Sequence, residues 1–318
     1  MSENPLRTVF MGTAGIAVPL MNALNSEPGV DLVAVVSQPD RPKGRKMMLH
    51  PTDTRACADA LGLPVLQPDR CRNPEFLEEL RALRPDAIVV MAYGQILPPS
   101  LLSIPRHGCL NVHTSLLPKY RGAAPIQWAL WNGDPETGVT IIRMDAGMDT
   151  GDILAAAKTP ITDEDDATSI HDRLAEIGAE LLPKTLTAFT AGRITPTPQD
   201  HTRATHARKI TKEDGRLDWT RDARDLWNQV RALTPWPGTH CVWEPDGRPG
   251  VLKVWHAEPV DGPTVEPGQV MKSDRAGVDV VCGKGALRLL EIQKEGGRRL
   301  AARDFIAGNS LPVGTRLR

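Results

Sequence analysis

The sequence predicts an α/β protein, a Rossmann-like, mostly parallel sheet with helices on both faces, followed by a small antiparallel barrel or sandwich. Three observations predict it. Apolar strand-like runs alternate with helix-period segments from Arg7 to Ala191. A Thr-, Pro- and charge-rich stretch without apolar period follows, "GRITPTPQDHTRATHARKITKEDG". Beyond it the runs become short and are separated by Gly, Pro and Asp.

The elements follow in order. "RTVFMG" is a continuous apolar run and reads as a buried strand, "IAVPLMNALNS" as a helix, and "VDLVAVVSQPD" as a second buried strand closed by turn residues, which makes a β-α-β unit. The pattern repeats with a helix around "TRACADALGL", a short strand "PVLQP", a helix at "PEFLEELRALRP" and the apolar run "DAIVVMAYG". "CLNVHTSLLPKYRGAAPIQWAL" starts as a strand, breaks into a polar loop and ends as a helix. "GVTIIRMDAGMDTGDILAAAKTPI" reads as two strands around a turn, and a long helix covers Ala167 to Ala191. After the Thr- and Pro-rich stretch come a helix near Ala223 to Leu233 and the strands "HCVWE", "VLKVWHA", "GQVMKS", "VDVVCG" and "ALRLLEI".

With 318 residues, 41% of them hydrophobic and 24% charged, the chain has material for two cores. The expected division is 1–190, a linker at 191–208 that runs over the surface, and 209–318. No stretch approaches the ~18 consecutive apolar residues of a membrane helix, and "MSENPLRTVF" holds no apolar leader run, so a cytoplasmic protein without membrane attachment is expected. The five cysteines, Cys57, Cys71, Cys109, Cys241 and Cys282, form no C-x-x-C pair, which argues for reduced thiols over a disulfide framework or a zinc site. Charge is balanced at 38 basic and 39 acidic residues, but from Lys209 onward basic residues lead by 18 to 15, a mild bias.

Gly12 and Gly15 follow the first strand, where a dinucleotide fingerprint would sit. Thr13 and Ala14 separate them, no third glycine follows at the required spacing, and Asp31 begins the next strand instead of ending it. A tight strand-to-helix turn explains the glycines better than a nicotinamide site.

The chemistry concentrates at Asn111 and His113. Residues two apart on a strand share a face, so an amide donor and a proton-transfer group would project together at a strand end, where ligands of such sheets bind. An amide can donate to an oxygen as negative charge develops on it, and an imidazole can give or take protons near neutral pH. Acyl transfer is the chemistry this pair suits. A third group is needed to orient the imidazole, and "MDAGMDTGDI" offers Asp145, Asp149 and Asp152. Asp149, flanked by Gly147 and Gly151, is the choice, because glycines let the loop approach closely.

These motifs carry a resemblance. "LNVHTSLLPKYRGAAPIQWAL" and "TGVTIIRMDAGMDTGDIL" are similar to the signature of the 10-formyltetrahydrofolate-dependent formyltransferases, and within them to the branch that formylates methionyl-tRNA. The likeness extends through "VVSQPDRPKGRK", "GLPVLQP", "VVMAYGQILP", "ARKITKEDGRLDW" and "VRALTPWPGT". It implies that Asn111, His113 and Asp149 are the catalytic set. By the resemblance, the α-amino group of initiator methionyl-tRNA would attack the formyl carbon on N10 of 10-formyltetrahydrofolate, Asn111 and protonated His113 would hold the oxyanion, and Asp149 would orient His113. No metal is called for. The resemblance also implies a monomer and an OB-like β-barrel as the second domain.

Further residues come with it. "SLLP", Ser115, Leu116, Leu117 and Pro118, matches the folate-contacting segment, and Tyr93 and Gly94 are expected to close the same pocket, with core packing the alternative for Tyr93. "QPDRPKGRKMMLHP" matches an insertion that meets the tRNA acceptor end, with Arg41, Lys43, Arg45 and Lys46 as its cations. Met47 and Met48 depart from the usual run of Gly and Lys there, either to pack on a base or to seat the loop, and Ile16 stands where Phe is usual. Lys209, with Lys212, Arg216, Arg298, Arg299 and Arg303, either lines the inside of the tRNA bend or faces solvent. Two competing readings are a formyltransferase acting on a small amine such as an amino sugar nucleotide, and a noncatalytic tRNA-binding protein.

Overall fold

The computed structural model describes residues 5–43, 48–245, 248–263 and 266–318. Two compact units are present: Met1–Ala123 with Thr137–Thr159 and His171–Ala207, and Ala124–Glu136 with Pro160–Ile170 and Arg208–Arg318. The chain passes between them more than once.

The first unit is built on a seven-stranded sheet in the order Asp152–Pro160, Glu136–Arg143, Cys109–His113, Ala87–Met91, Leu6–Gly12, Val30–Val36, Val65–Leu66. Cys109–His113 through Val65–Leu66 pair parallel, and Glu136–Arg143 joins antiparallel to Cys109–His113. The inner strands are the near-continuous apolar runs expected of a sheet covered on both faces, and all of Ala87–Met91 is buried. Helices Pro74–Ala82 and Pro99–Leu102 begin with proline, whose missing N–H costs nothing in a first turn. Helix Asp53–Ala60 is capped by the Thr52 side chain, which accepts from Arg55 N. Gly12 ends the first strand because a Cβ there would stand 2.8 Å from Phe10 and 3.0 Å from Ala17 and the Met91 carbonyl. Its role is close packing.

Two short elements were not anticipated. Arg41–Lys43 and Met48–His50 pair as an antiparallel hairpin. His206–Ala207 pairs parallel with Arg121–Gly122, and Thr197 exchanges both backbone hydrogen bonds with Ile153. The expected surface linker is therefore tied to the first unit at both points, since its backbone groups find ladder partners there.

The second unit carries an antiparallel sheet in the order Thr239–Trp243, Gly250–Val260, Ala286–Lys294, Gly277–Val281, Val270–Asp274. Residues 314–318 bridge its two edges. Arg318 exchanges both backbone bonds with Val242, while Val270 pairs with Thr315 and Gly314, and Gly268 with Leu317. Closing a sheet removes its exposed edges. Inside lie Trp219, Trp227, Trp243, Phe305, Leu252, Val254, Val278 and Ile292, all buried. Helix Ala223–Leu233 packs on this sheet, and helix Pro125–Trp131 packs on that helix through stacked Trp128 and Trp131, 5.1 Å between ring centroids. Among the described residues, no helix is long and apolar enough to cross a membrane.

Candidate active site

Strand Cys109–His113 places Asn111 opposite Ile142 and His113 opposite Thr140, with both side chains directed at one carboxylate. Asp149 Oδ1 accepts from Asn111 Nδ2 at 3.2 Å. Its Oδ2 accepts from the Gly122 amide at 2.8 Å and lies 3.7 Å from His113 Nδ1. His113 Nε2 stands 2.9 Å from the Tyr120 carbonyl oxygen. A carbonyl only accepts, so Nε2 carries a hydrogen and donates it, which leaves Nδ1 as the ring nitrogen on the Asp149 side. His113 is 7% and Asp149 15% exposed, so charge–dipole terms among them are weakly screened.

The three acidic residues of the loop separate by geometry. Asp145 Oδ1 accepts from Gly147 N at 3.0 Å and Thr150 Oγ1 at 2.6 Å, which closes its own turn. Asp152 opens the next strand. Asp149 alone of the three reaches Asn111 and His113. It sits at φ +53°, a left-handed conformation that Asp adopts more readily than most residues. Gly151 is required beside it, because a Cβ would lie 1.9 Å from the Arg143 carbonyl oxygen.

The Ser115–Pro118 loop is held from within. Thr140 Oγ1 donates to the Ser115 carbonyl at 2.7 Å and accepts from Leu117 N at 3.1 Å, and Ser115 Oγ donates to the Lys119 carbonyl at 2.6 Å. These backbone groups are thereby taken, so the part of the loop able to meet a flat ligand is the half-buried Leu116 and Pro118 edge. The Leu117–Pro118 bond is cis. Tyr93 is buried in the core with Cys71, Phe76 and Leu101, and its hydroxyl has no hydrogen-bond partner. Burial first, and Cys71 second, push that hydroxyl well above its usual titration range. Gly94 is exposed at φ +88°, with open space where a side chain would stand. Cys109, on the same strand as Asn111, is no nucleophile, since burial pushes its thiol up to about 12. Among the described residues, no group of three or more His, Cys, Asp or Glu side chains is placed to hold a metal ion.

Of the basic residues, Arg41 is exposed on the hairpin and Lys43 contributes backbone to it, while Arg45 and Lys46 lie outside the described residues, as does Met47. Lys209 is exposed in the second unit. Its neighbour Arg208 stacks on Trp128, 5.2 Å from the ring centroid, and pairs bidentately with Asp214 at 2.5 and 2.8 Å. That pairing first, and the Thr211 amide with it, hold the Asp214 carboxyl down at about 2.

An amide bonded to a carboxylate that lies 3.7 Å from an imidazole, with no activated thiol beside them, can stabilise an oxyanion and move a proton without a covalent intermediate. Sequence comparison gives this geometry its context. The profile of the formyl transferase family matches residues 6–186, and that of the formyl transferase C-terminal domain matches residues 209–310. The chain belongs to the formyl transferase family. Proteins named methionyl-tRNA formyltransferase from Citrifermentans bemidjiense and Geobacter sulfurreducens are each 48% identical to it, over 97% and 98% of this chain and 95% and 96% of theirs. One from Caldanaerobacter subterraneus subsp. tengcongensis is 47% identical over 98% of this chain and 100% of its own. Among solved structures, HypX from Aquifex aeolicus in complex with tetrahydrofolic acid superposes with a TM-score of 0.60 at 18% identity, over 95% of this chain and 47% of that one. The N-formyltransferase from Helicobacter canadensis in complex with folinic acid and dTDP-3-aminofucose gives 0.66 at 17% identity, over 91% and 99%. At these identities the two structures speak for the formyl transferase fold alone.

Several groups of this formyl transferase site escape a reading of the sequence. The Tyr120 carbonyl and the Gly122 amide act through backbone, which no residue type advertises. Thr140 is signalled only by its register opposite His113. Gln199, whose amide donates to the Asp149 carbonyl at 2.9 Å, lies in the stretch expected to be linker and carries no local signal.

Proposed function

We propose that the protein transfers the formyl group of 10-formyltetrahydrofolate to the α-amino group of methionyl-tRNA, with the initiator species as its substrate. The observation that carries this reading is the near-half identity to methionyl-tRNA formyltransferases across both units. The convergence of Asn111, His113 and Asp149 supplies chemistry to match.

The donor is an amide on an arylamine nitrogen and is already activated, so positioning and oxyanion stabilisation supply most of the rate. The methionine amine attacks the formyl carbon from an orientation set by the folate and tRNA contacts. As the carbonyl oxygen becomes an oxyanion, the Asn111 amide and the Nδ1–H of protonated His113 are the donors that stabilise it. The carbon–N10 bond then breaks, N10 takes a proton, and the amine's surplus proton leaves through Asp149 or a water against it. The products are formyl-methionyl-tRNA and tetrahydrofolate, with no covalent intermediate on the protein.

For folate, the half-buried Leu116 and Pro118 edge offers apolar contact, and the exposed Gly94 backbone offers polar main chain, the two characters a small-molecule site combines. The Tyr93 side chain serves the core, and its contribution to that site is main chain. For tRNA, Arg41, Lys43, Arg45 and Lys46 with Lys209 supply phosphate neutralisation.

The deciding experiment is transfer of labelled formyl from 10-formyltetrahydrofolate, with initiator Met-tRNA, elongator Met-tRNA, free methionine and a nucleotide-linked amino sugar as separate acceptors. Strong preference for initiator Met-tRNA is the expected result. Transfer to the amino sugar alone, or to no acceptor by folded protein, overturns the reading.

A further inference from the structure

We propose that Gln199 is a positioning residue for this reaction, its carboxamide locked by Arg121 so that it holds the backbone under Asp149. The inference rests on the formyl-transfer reading above.

Gln199 is buried at 5% exposure within a stretch whose neighbours are largely exposed. All the hydrogen-bonding capacity of its amide points at the site. Nε2 donates to the Asp149 carbonyl at 2.9 Å and to the Gly151 carbonyl at 2.7 Å. Oε1 accepts from Arg121 Nη2 at 2.6 Å and Nε at 3.2 Å. Turned the other way, the amide would set its oxygen against two carbonyls and its hydrogens against a guanidinium. Donors and acceptors therefore fix one orientation.

Arg121 itself is buried, at 6% exposure, and reaches two neutral acceptors, Gln199 Oε1 and His201 Nδ1 at 3.0 Å. Among the described residues no carboxylate is paired with it, and keeping a cation at such a buried site costs desolvation, which a merely space-filling contact would not call for. The arrangement makes sense as a clamp. Tyr120 and Gly122, on either side of Arg121, supply the carbonyl that takes the His113 Nε2–H and the amide that bonds the Asp149 carboxylate. One three-residue segment thus touches the imidazole and the carboxylate directly, and through Gln199 it also holds the main chain of Asp149. That residue sits in a loop, at φ +53°, where no sheet ladder fixes it. Gln199 is itself anchored on both sides, by the Thr197–Ile153 bridge and by the pairing of His206–Ala207 with Arg121–Gly122.

The test is Gln199→Glu beside Gln199→Ala, in the full-length protein. Gln199→Glu keeps the shape and gives Arg121 a charged partner, but it sets an oxygen against the Asp149 and Gly151 carbonyls in place of both donors, so a lower melting temperature is expected on either view. A purely structural role predicts unchanged kcat in the folded protein. Positioning predicts kcat lower by roughly 10–100-fold at about pH 8, with KM for both substrates within about threefold of wild type. Gln199→Ala should lose at least as much kcat. Wild-type kcat in either folded variant at about pH 8, or a loss that falls on KM and leaves kcat unchanged, overturns the proposal. A wild-type protein that forms no formyl-methionyl-tRNA instead overturns the underlying reading, so the two failures are told apart by the wild-type lane.

Discussion

His113 meets Asp149 through Nδ1, at 3.7 Å, because its Nε2–H is already spent on the Tyr120 carbonyl at 2.9 Å. The nitrogen on the Asp149 side is thereby decided by a backbone group, and on the proposed mechanism the work of the ring falls to Nδ1. Substitutions that keep one nitrogen position or the other can read this out.

Loss of either oxyanion donor should be severe. Asn111→Ala and His113→Ala are each expected to lower kcat by about 10²–10³-fold or more. Among amide replacements, His113→Asn retains a donor near the Nδ1 position and should exceed His113→Gln, which retains only the Nε2 position. Saturation kinetics with Met-tRNA check both statements; near-wild-type turnover by either alanine variant removes that residue from the mechanism.

Asp149 combines charge with a left-handed backbone, and the two can be separated. Asn tolerates the same conformation, so Asp149→Asn should melt within a few degrees of wild type. Its kcat should fall by about 10²-fold or more, because the charge that orients His113 and takes up the amine's proton is gone. Equal activity would show that shape alone matters there.

Binding of tRNA should be electrostatic. Raising salt from about 50 mM to about 200 mM is expected to weaken it steeply, and Lys209→Ala should lower the slope of log K against log salt by about 1 if that side chain meets a phosphate. Filter binding across a salt series measures it. An unchanged slope in Lys209→Ala removes Lys209 from the interface.

Acid should reach the second unit through Asp214, whose carboxyl the Arg208 fork holds down at about 2. A folded-state value below that of the unfolded chain means the stabilisation is complete above about pH 4 and disappears as pH falls toward about 2. All seven tryptophans belong to this unit, so indole fluorescence follows its unfolding selectively. Wild type should show a higher urea midpoint than Asp214→Asn at about pH 7, and the gap should be clearly smaller at about pH 2.5. A gap of equal size at both values would assign the effect to packing.

Much of this was legible from residue types. The alternation of apolar runs anticipated the sheet of the first unit and its helices, because a strand covered on both faces must be apolar throughout, as Ala87–Met91 is. Asn111 and His113 could be paired from their two-residue spacing, and Asp149 selected over Asp145 and Asp152 from its glycine neighbours. Groups that act through main chain, and side chains recruited from far along the sequence, were not legible. Gln199 stands 50 residues from the Asp149 carbonyl it holds, and nothing in "PTPQDHT" distinguishes an amide that faces a loop from one that faces water. The hairpin after Asp40 was hidden for another reason, since its pairing runs are three residues each and too short to show a period.

The interleaving of the two units bears on how the gene can be cut. A fragment starting at Lys209 looks natural from the linker-like composition before it, yet it would leave behind the helix Pro125–Trp131, which covers Ile210 and Leu233. It would also lose the Asp163 carboxylate and the Thr162 carbonyl that Arg224 and Arg231, both packed on the Trp227 ring, grip. Such a fragment exposes apolar surface and strands two arginines, so poor expression or clumping of a separately produced C-terminal half would report the position of the scissors and nothing about the strength of its fold.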